Sequence, residues 1–173
     1  MAQTVYLELF IDGQKVDGEC SITTANRQDT IECLSFRLGV STPESPPMRS
    51  GSRPARTASN KHAYTPVIIK KPVCKASPRL FQALCKSETV TEATFVFFRP
   101  SKDRAQAGQE VMYYSIRLEN GLISSIKQIN ESDRFADDFY GQMPTAIEEI
   151  KLTFKKITMT YEIGGITYVD TIP

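Results

Sequence analysis

Most of the chain alternates apolar and polar side chains with a period of two, the pattern of half-buried strands. Val5, Leu7, Leu9 and Ile11 share one face of the first run, and Asp12-Gly13-Gln14-Lys15 supplies a turn after it. Residues 16–24 are expected to return as a short strand. Between Thr30 and Val40, Leu34, Phe36 and Leu38 fall on one face, with Ile31 and Cys33 opposite. Residues 64–71 form another candidate, and Pro66 places its start at an edge. The stretch Thr89 to Arg99 is apolar on both faces, Phe95 and Phe97 against Val96 and Phe98. One face needs the core, and the other needs a helix or a neighbouring subunit.

Met112, Tyr114, Ile116 and Leu118 alternate again, and Asn120-Gly121 then predicts a hairpin with a return over Leu122 to Ile129. The last long run changes phase: Ile150, Leu152 and Phe154 share one parity, Ile157, Met159 and Tyr161 the other. A β-bulge at Lys155-Lys156 would keep both sets on one side. A hairpin through Gly164-Gly165 leads into Ile166 to Ile172. A single helix interrupts the strands. Ser77 is placed to cap it, Pro78 takes its first position, and Leu80, Phe81, Leu84 and Cys85 form its apolar stripe. One helix among so many strands excludes a βαβ fold. The expected fold is mainly β, a small antiparallel β-barrel of two packed sheets with one flanking α-helix and a long extended loop.

That loop is residues 41–63, which contain four prolines and no aromatic side chain. No core forms from such a composition, so a protruding segment is expected. Arg49, Arg53, Arg56 and Lys61 oppose Glu44 alone, a net of +3. A second segment, 131–149, is read as an acidic insertion: Glu131, Asp133, Asp137, Asp138, Glu148 and Glu149 face only Arg134, a net of −5. It also carries Phe135, Phe139, Tyr140 and Met143. A basic arm and an acidic, aromatic-bearing segment in one chain suit a heterologous contact between copies. Arg49, Arg53, Arg56, Lys61, Asp133, Asp137 and Asp138 are therefore candidates for a ring or stacking interface.

At 173 residues the chain is expected to be one domain, able to bury roughly 70 % of its unfolded surface without a metal or disulfide. With 21 Lys+Arg against 20 Asp+Glu it is nearly neutral, unlike a dedicated nucleic-acid binder. No apolar run approaches the ~20 residues of a membrane span, and the first residues lack the pattern of a secretory leader. Cys20, Cys33, Cys74 and Cys85 have no paired spacing and read as thiols. Catalytic chemistry finds no foothold. His62, the one imidazole, lies in the basic loop with no local partner, and no phosphate loop, dinucleotide fingerprint or calcium loop is present. No enzyme activity and no cofactor are expected.

VYLELFIDG followed by VDGE, and then TIECLSFRLGV, resembles the opening of the type VI secretion tube family, the haemolysin-coregulated proteins (Hcp). The similarity resumes at YTPVIIKKPVCKASPRLFQALCKSETVTEATFVFFRP, continues in GQEVMYYSIRLENGLISSI and closes with IKLTFKKITMTYEIGG. Each piece is an ordinary strand pattern; their joint order around one SPxL helix carries the resemblance. It implies a β-barrel subunit that forms a homo-hexamer with a wide channel, in rings that stack into an expelled tube. Sheath and spike proteins would be its partners, with effector proteins held in the lumen. It implies a cytoplasmic stage before firing and secretion without a signal peptide. By the same resemblance, 41–63 is the loop that touches an adjacent ring or subunit, and Arg79, Gln82 and Lys86 on the helix face the lumen. The alternative is a phage-like tail-tube or adaptor ring protein, which faces the same physical problem of stacked rings.

Overall fold

The structure, a computed structural model, describes residues 5–42, 62–101, 109–129 and 146–172. Among the described residues, twelve strands and one α-helix follow in chain order. They are β1 (Val5–Ile11), β2 (Gln14–Val16), β3 (Ile31–Cys33), β4 (Ser35–Arg37), β5 (Val40–Ser41), β6 (Ala63–Tyr64) and β7 (Val67–Pro72). Then come α1 (Ser77–Cys85), β8 (Val90–Pro100), β9 (Glu110–Ile129), β10 (Ile147–Thr153), β11 (Lys156–Tyr161) and β12 (Ile166–Thr171). Ten strands share one hydrogen-bonded network whose main path runs β2-β1-β8-β9-β10-β7-β4, and every pairing is antiparallel. The mainly β expectation with one helix holds. The ladder itself is an open path. Its two ends approach one another through residues 31–37: β3 pairs β1, the Leu34 N–H donates to Lys70 O at 2.7 Å, and β4 pairs β7.

The first turn is where the pattern placed it, with Asp12 and Gly13 both at positive φ. The return strand is shorter than 16–24, because only Gln14–Val16 pairs with β1. Residues 17–30 instead cross the outer face of β1 and β8. There Tyr6, Cys20 and Phe98 are buried together, with Val96 against them, and the Arg27 guanidinium lies 4.4 Å from the centre of the Phe98 ring. Glu110 holds Arg27 in place at 2.5 Å. Around Phe98 the second apolar face of β8 is thus covered by the chain's own loop, while the helix packs on the core side.

Asn120-Gly121 makes no hairpin. β9 runs through it without interruption for 20 residues. Its first part pairs with β8 and β11, its second with β10. Asn120 takes a left-handed φ of 56°, and a Cβ on Gly121 would stand 2.0 Å from Thr153 O. The dipeptide therefore serves a bend at which two backbones meet closely, a use of these residues that does not depend on a reversal. The facing strand breaks at the same level, between β10 and β11, where the sequence changes phase. Ile150, Leu152, Phe154 and Ile157 all remain buried across that break, as the bulge was expected to ensure.

The core fills the inner side of this bent sheet, with Leu7, Leu9, Ile11, Ile69, Phe95, Ile150 and Ile157 almost wholly buried. α1 contributes Leu80 and Ala83, with Leu84 packed against the cluster. Phe81 is only half-buried and Cys85 is exposed, so the helical stripe is narrower than predicted. The reason lies in the small residues: Ser77 and Ala83 occupy the buried face in place of the larger pair.

Candidate assembly surfaces

Two polar clusters mark the places where the charged segments join the sheet. β5 and β6 form a separate two-stranded ribbon, the root of residues 43–61. This ribbon is fastened to β12. His62 Nε2 lies 2.5 Å from Asp170 Oδ2, and the Tyr64 hydroxyl donates to the same oxygen at 2.9 Å. The Tyr64 ring stacks edge-on against Phe154 and against His62, so it links the ribbon to the core rim. Burial and the hydrogen bond to Asp170 push the Tyr64 hydroxyl up to about 12. The hydrogen bonds from Tyr64 and then His62 hold the Asp170 carboxyl below its ordinary value.

β12 pairs only with β11 among the described residues and turns apolar side chains outward. Ile166 is 70 % exposed and Tyr168 55 %, with Val169 and Ile163 beside them. Four large apolar side chains on one short hairpin are more than a scattered surface explains.

The second cluster lies at the other end of β7. Lys71 and Glu148 are direct cross-strand partners on β7 and β10, and both side chains are fully buried. Lys71 Nζ is 2.8 Å from Glu148 Oε2, 3.1 Å from Ser77 Oγ and 2.7 Å from Pro72 O. The Ser77 hydroxyl donates to Glu148 Oε2 at 2.9 Å, and Gln128 Nε2 donates to Oε1 at 2.6 Å. Ser77 does not cap the helix as expected, since its oxygen accepts from Cys74 N–H and from Lys71. Glu148, read as part of an acidic surface, belongs to the core instead, and residues 147–149 belong to β10. Both residues carry a signal that could have revealed this. Lys71 falls on the inward parity of Val67 and Ile69, and Glu148 on that of Ile150 and Leu152.

Residues 130–145 join the sheet beside this cluster: Ile129 and Ile147 are paired, and Val73 N–H donates to Ala146 O at 2.9 Å. The roots of the basic and acidic segments thus lie at opposite ends of the six-residue β7, roughly 20 Å apart. Arg49, Arg53, Arg56, Lys61, Asp133, Asp137 and Asp138 themselves lie outside the described residues. On the helix, Gln82 and Lys86 are exposed together. Arg79 is half-buried and engaged in an ion pair with Glu88. Among the described residues no group of His, Cys, Asp or Glu is arranged to hold a metal ion, and no helix is long and apolar enough to cross a membrane.

The family model described as "Type VI secretion system effector, Hcp" matches residues 6–161. The chain belongs to the Hcp family. A relative, the major exported protein of Pseudomonas aeruginosa PAO1, is 29 % identical over 143 residues, which cover 83 % of this chain and 75 % of that protein. Among solved structures, Hcp1 from E. coli EAEC 042 superposes with a TM-score of 0.74 at 25 % identity, covering 96 % of this chain and 97 % of that one. Hcp3 from Pseudomonas aeruginosa gives 0.70 at 23 % identity and 99 % of each chain, a likeness of fold. As an Hcp protein the chain is a structural component of the type VI apparatus and not an enzyme.

Proposed function

We propose that this Hcp protein is the repeating subunit of a type VI inner tube. Six copies form a ring around an open channel, rings stack, and the tube is loaded in the cytoplasm and then expelled with effector proteins in its lumen. Sheath and spike proteins are its remaining partners. The family match over residues 6–161 carries this reading. The strand network supports it: residues 31–37 pair with β1 and then β7, which draws the two ends of the open path toward one another, an arrangement suited to a rigid ring subunit. The exposed apolar β11–β12 hairpin supplies a surface for a neighbour within the ring. The roots at opposite ends of β7 suit head-to-tail stacking, the basic arm of one ring meeting the acidic segment of the next. On this reading Arg49, Arg53, Arg56 and Lys61 face Asp133, Asp137 and Asp138, while Gln82 and Lys86 line the channel. Arg79 lines it through its ion pair with Glu88.

Light scattering after size exclusion, with negative-stain images of the same fraction, tests the ring. A particle of six subunits with an open centre is expected; a strict monomer at all concentrations overturns the autonomous ring. Stacking is read separately, from the length of end-to-end assemblies. Arg53→Glu with Arg56→Glu shortens them, as does salt that brings the Debye length below about 10 Å. Stacks indifferent to both remove the electrostatic contact and leave the ring intact.

A further inference from the structure

The Lys71–Glu148 cluster holds one contact that neither folding nor assembly uses. Cys74 Sγ lies 3.2 Å from Lys71 Nζ. That nitrogen already faces Pro72 O, Ser77 Oγ and Glu148 Oε2. An ammonium has three protons for these four acceptors, so the sulfur shares its hydrogen bond with the oxygens and stands against the nitrogen it would bond. Lys71 is fully buried and fixed by its neighbours, while Cys74 is only half-buried.

We propose that Lys71 and Cys74 form an oxidation-dependent covalent modification site, at which a hydroperoxide drives an S–N link between the two side chains. The chemistry has two steps. The Cys74 thiol attacks the peroxide, its sulfur is oxidised by two electrons to the sulfenic acid, and the peroxide is reduced to water. Glu148 takes a proton from Lys71, and the freed amine lone pair attacks sulfur. The S–O bond breaks as the S–N bond forms, the hydroxyl leaves as a second water with the proton that Glu148 held, and Glu148 then takes the second proton that the S–N nitrogen sheds. The net change in the protein is the loss of two hydrogen atoms.

Three neighbours favour this outcome over others. Glu148 is the base, 2.8 Å from the amine. Ser77 Oγ and Gln128 Nε2 remain bonded to Glu148, and the proton it keeps makes it neutral once the lysine charge is gone, so no charge is stranded in the core. Cys33 is the competing nucleophile within the same core cluster, but burial pushes its thiol up to about 12 and keeps it protonated.

Trypsin releases residues 71–75, Lys-Pro-Val-Cys-Lys, as one peptide containing both partners and a single cysteine. The experiment treats the full-length protein with hydrogen peroxide in a Cys85→Ser background, then compares this peptide before and after dithiothreitol. The expected result is a species lighter by about 2 Da that reverts on reduction, persists in Cys33→Ala and is absent in Cys74→Ser. Circular dichroism checks that each variant is folded. Oxidation of Cys74 that only adds oxygen overturns the proposal, as does a 71–75 peptide disulfide-linked to the Cys33 peptide. A thiol unchanged at peroxide levels that oxidise the exposed Cys85 of the unsubstituted protein overturns it as well.

Discussion

Asp170 and Glu148 each gather a base and a hydroxyl, Asp170 from His62 and Tyr64, Glu148 from Lys71 and Ser77. Their chemistry is nearly matched, and their surroundings are not. The Asp170 group stands at the rim, with the His62 side chain 39 % exposed, whereas Lys71 and Glu148 have no exposed side-chain surface. At the rim, water replaces any partner that leaves, so the cluster fixes a position at small energetic consequence. In the core nothing replaces it, and removal of one charge strands the other. One cluster is a latch for the ribbon below the basic arm. The other makes the register of β7 on β10 nearly obligatory, because a one-residue slip would turn one charge outward and leave its partner buried alone.

Breaking the buried cluster gives the largest effect. Glu148→Ala leaves the Lys71 ammonium buried without its counter-ion, and a loss of about 3–5 kcal/mol is expected. In a domain of this length that lowers the thermal midpoint by on the order of 10 °C, measured by calorimetry. Replacing the pair together, Lys71→Met with Glu148→Leu, should return stability to within about 1 kcal/mol of the parent, because no charge is left uncompensated. A double variant as damaged as the single one would show that the pair itself, rather than its imbalance, holds the fold.

The rim cluster should answer differently. Asp170→Asn is expected to leave the global midpoint in place while amide exchange at Ala63 and Tyr64 speeds up at least tenfold, as read by hydrogen–deuterium exchange. Acid should do the same reversibly. The Asp170 carboxyl is held down in the folded protein, so its contribution is complete above about pH 4 and is lost as pH falls through the folded value. Tyr64 works at the other end, since its raised value means its contribution fades as pH climbs from about 10 to about 12. The smallest effect belongs to His62→Gln, which keeps a donor for Asp170 and should move exchange in the ribbon by less than Asp170→Asn does.

Alternation along the chain was enough to place β1, β7, β8, β12 and the part of β10 from Ile150 onward, because each buries one clean parity or runs beside one that does. It failed where a residue had two uses. Asn120-Gly121 is equally suited to a hairpin and to a bend, and only the opposing backbone at Thr153 decides between them. Residues 17–30 lack periodicity because they serve as a cover, and the Arg27 guanidinium over Phe98 is a contact that no spacing announces. Lys71 and Glu148 were legible in principle, as opposite charges on inward parities of two strands. Reading them needed the pairing of β7 with β10, which are separated by the helix and two other strands. The latch at Asp170 was out of reach for the same reason, at a separation of 108 positions from His62.

The bend at Asn120-Gly121 has a mechanical consequence. β9 enters two regions of the sheet as a single covalent backbone, with no loop between them that could act as a hinge. Tension applied along it would shear several ladder hydrogen bonds at once, whereas tension across a hairpin end peels them one after another. A subunit wired in this way transmits axial force through its own main chain, and it should yield as one body rather than in two stages.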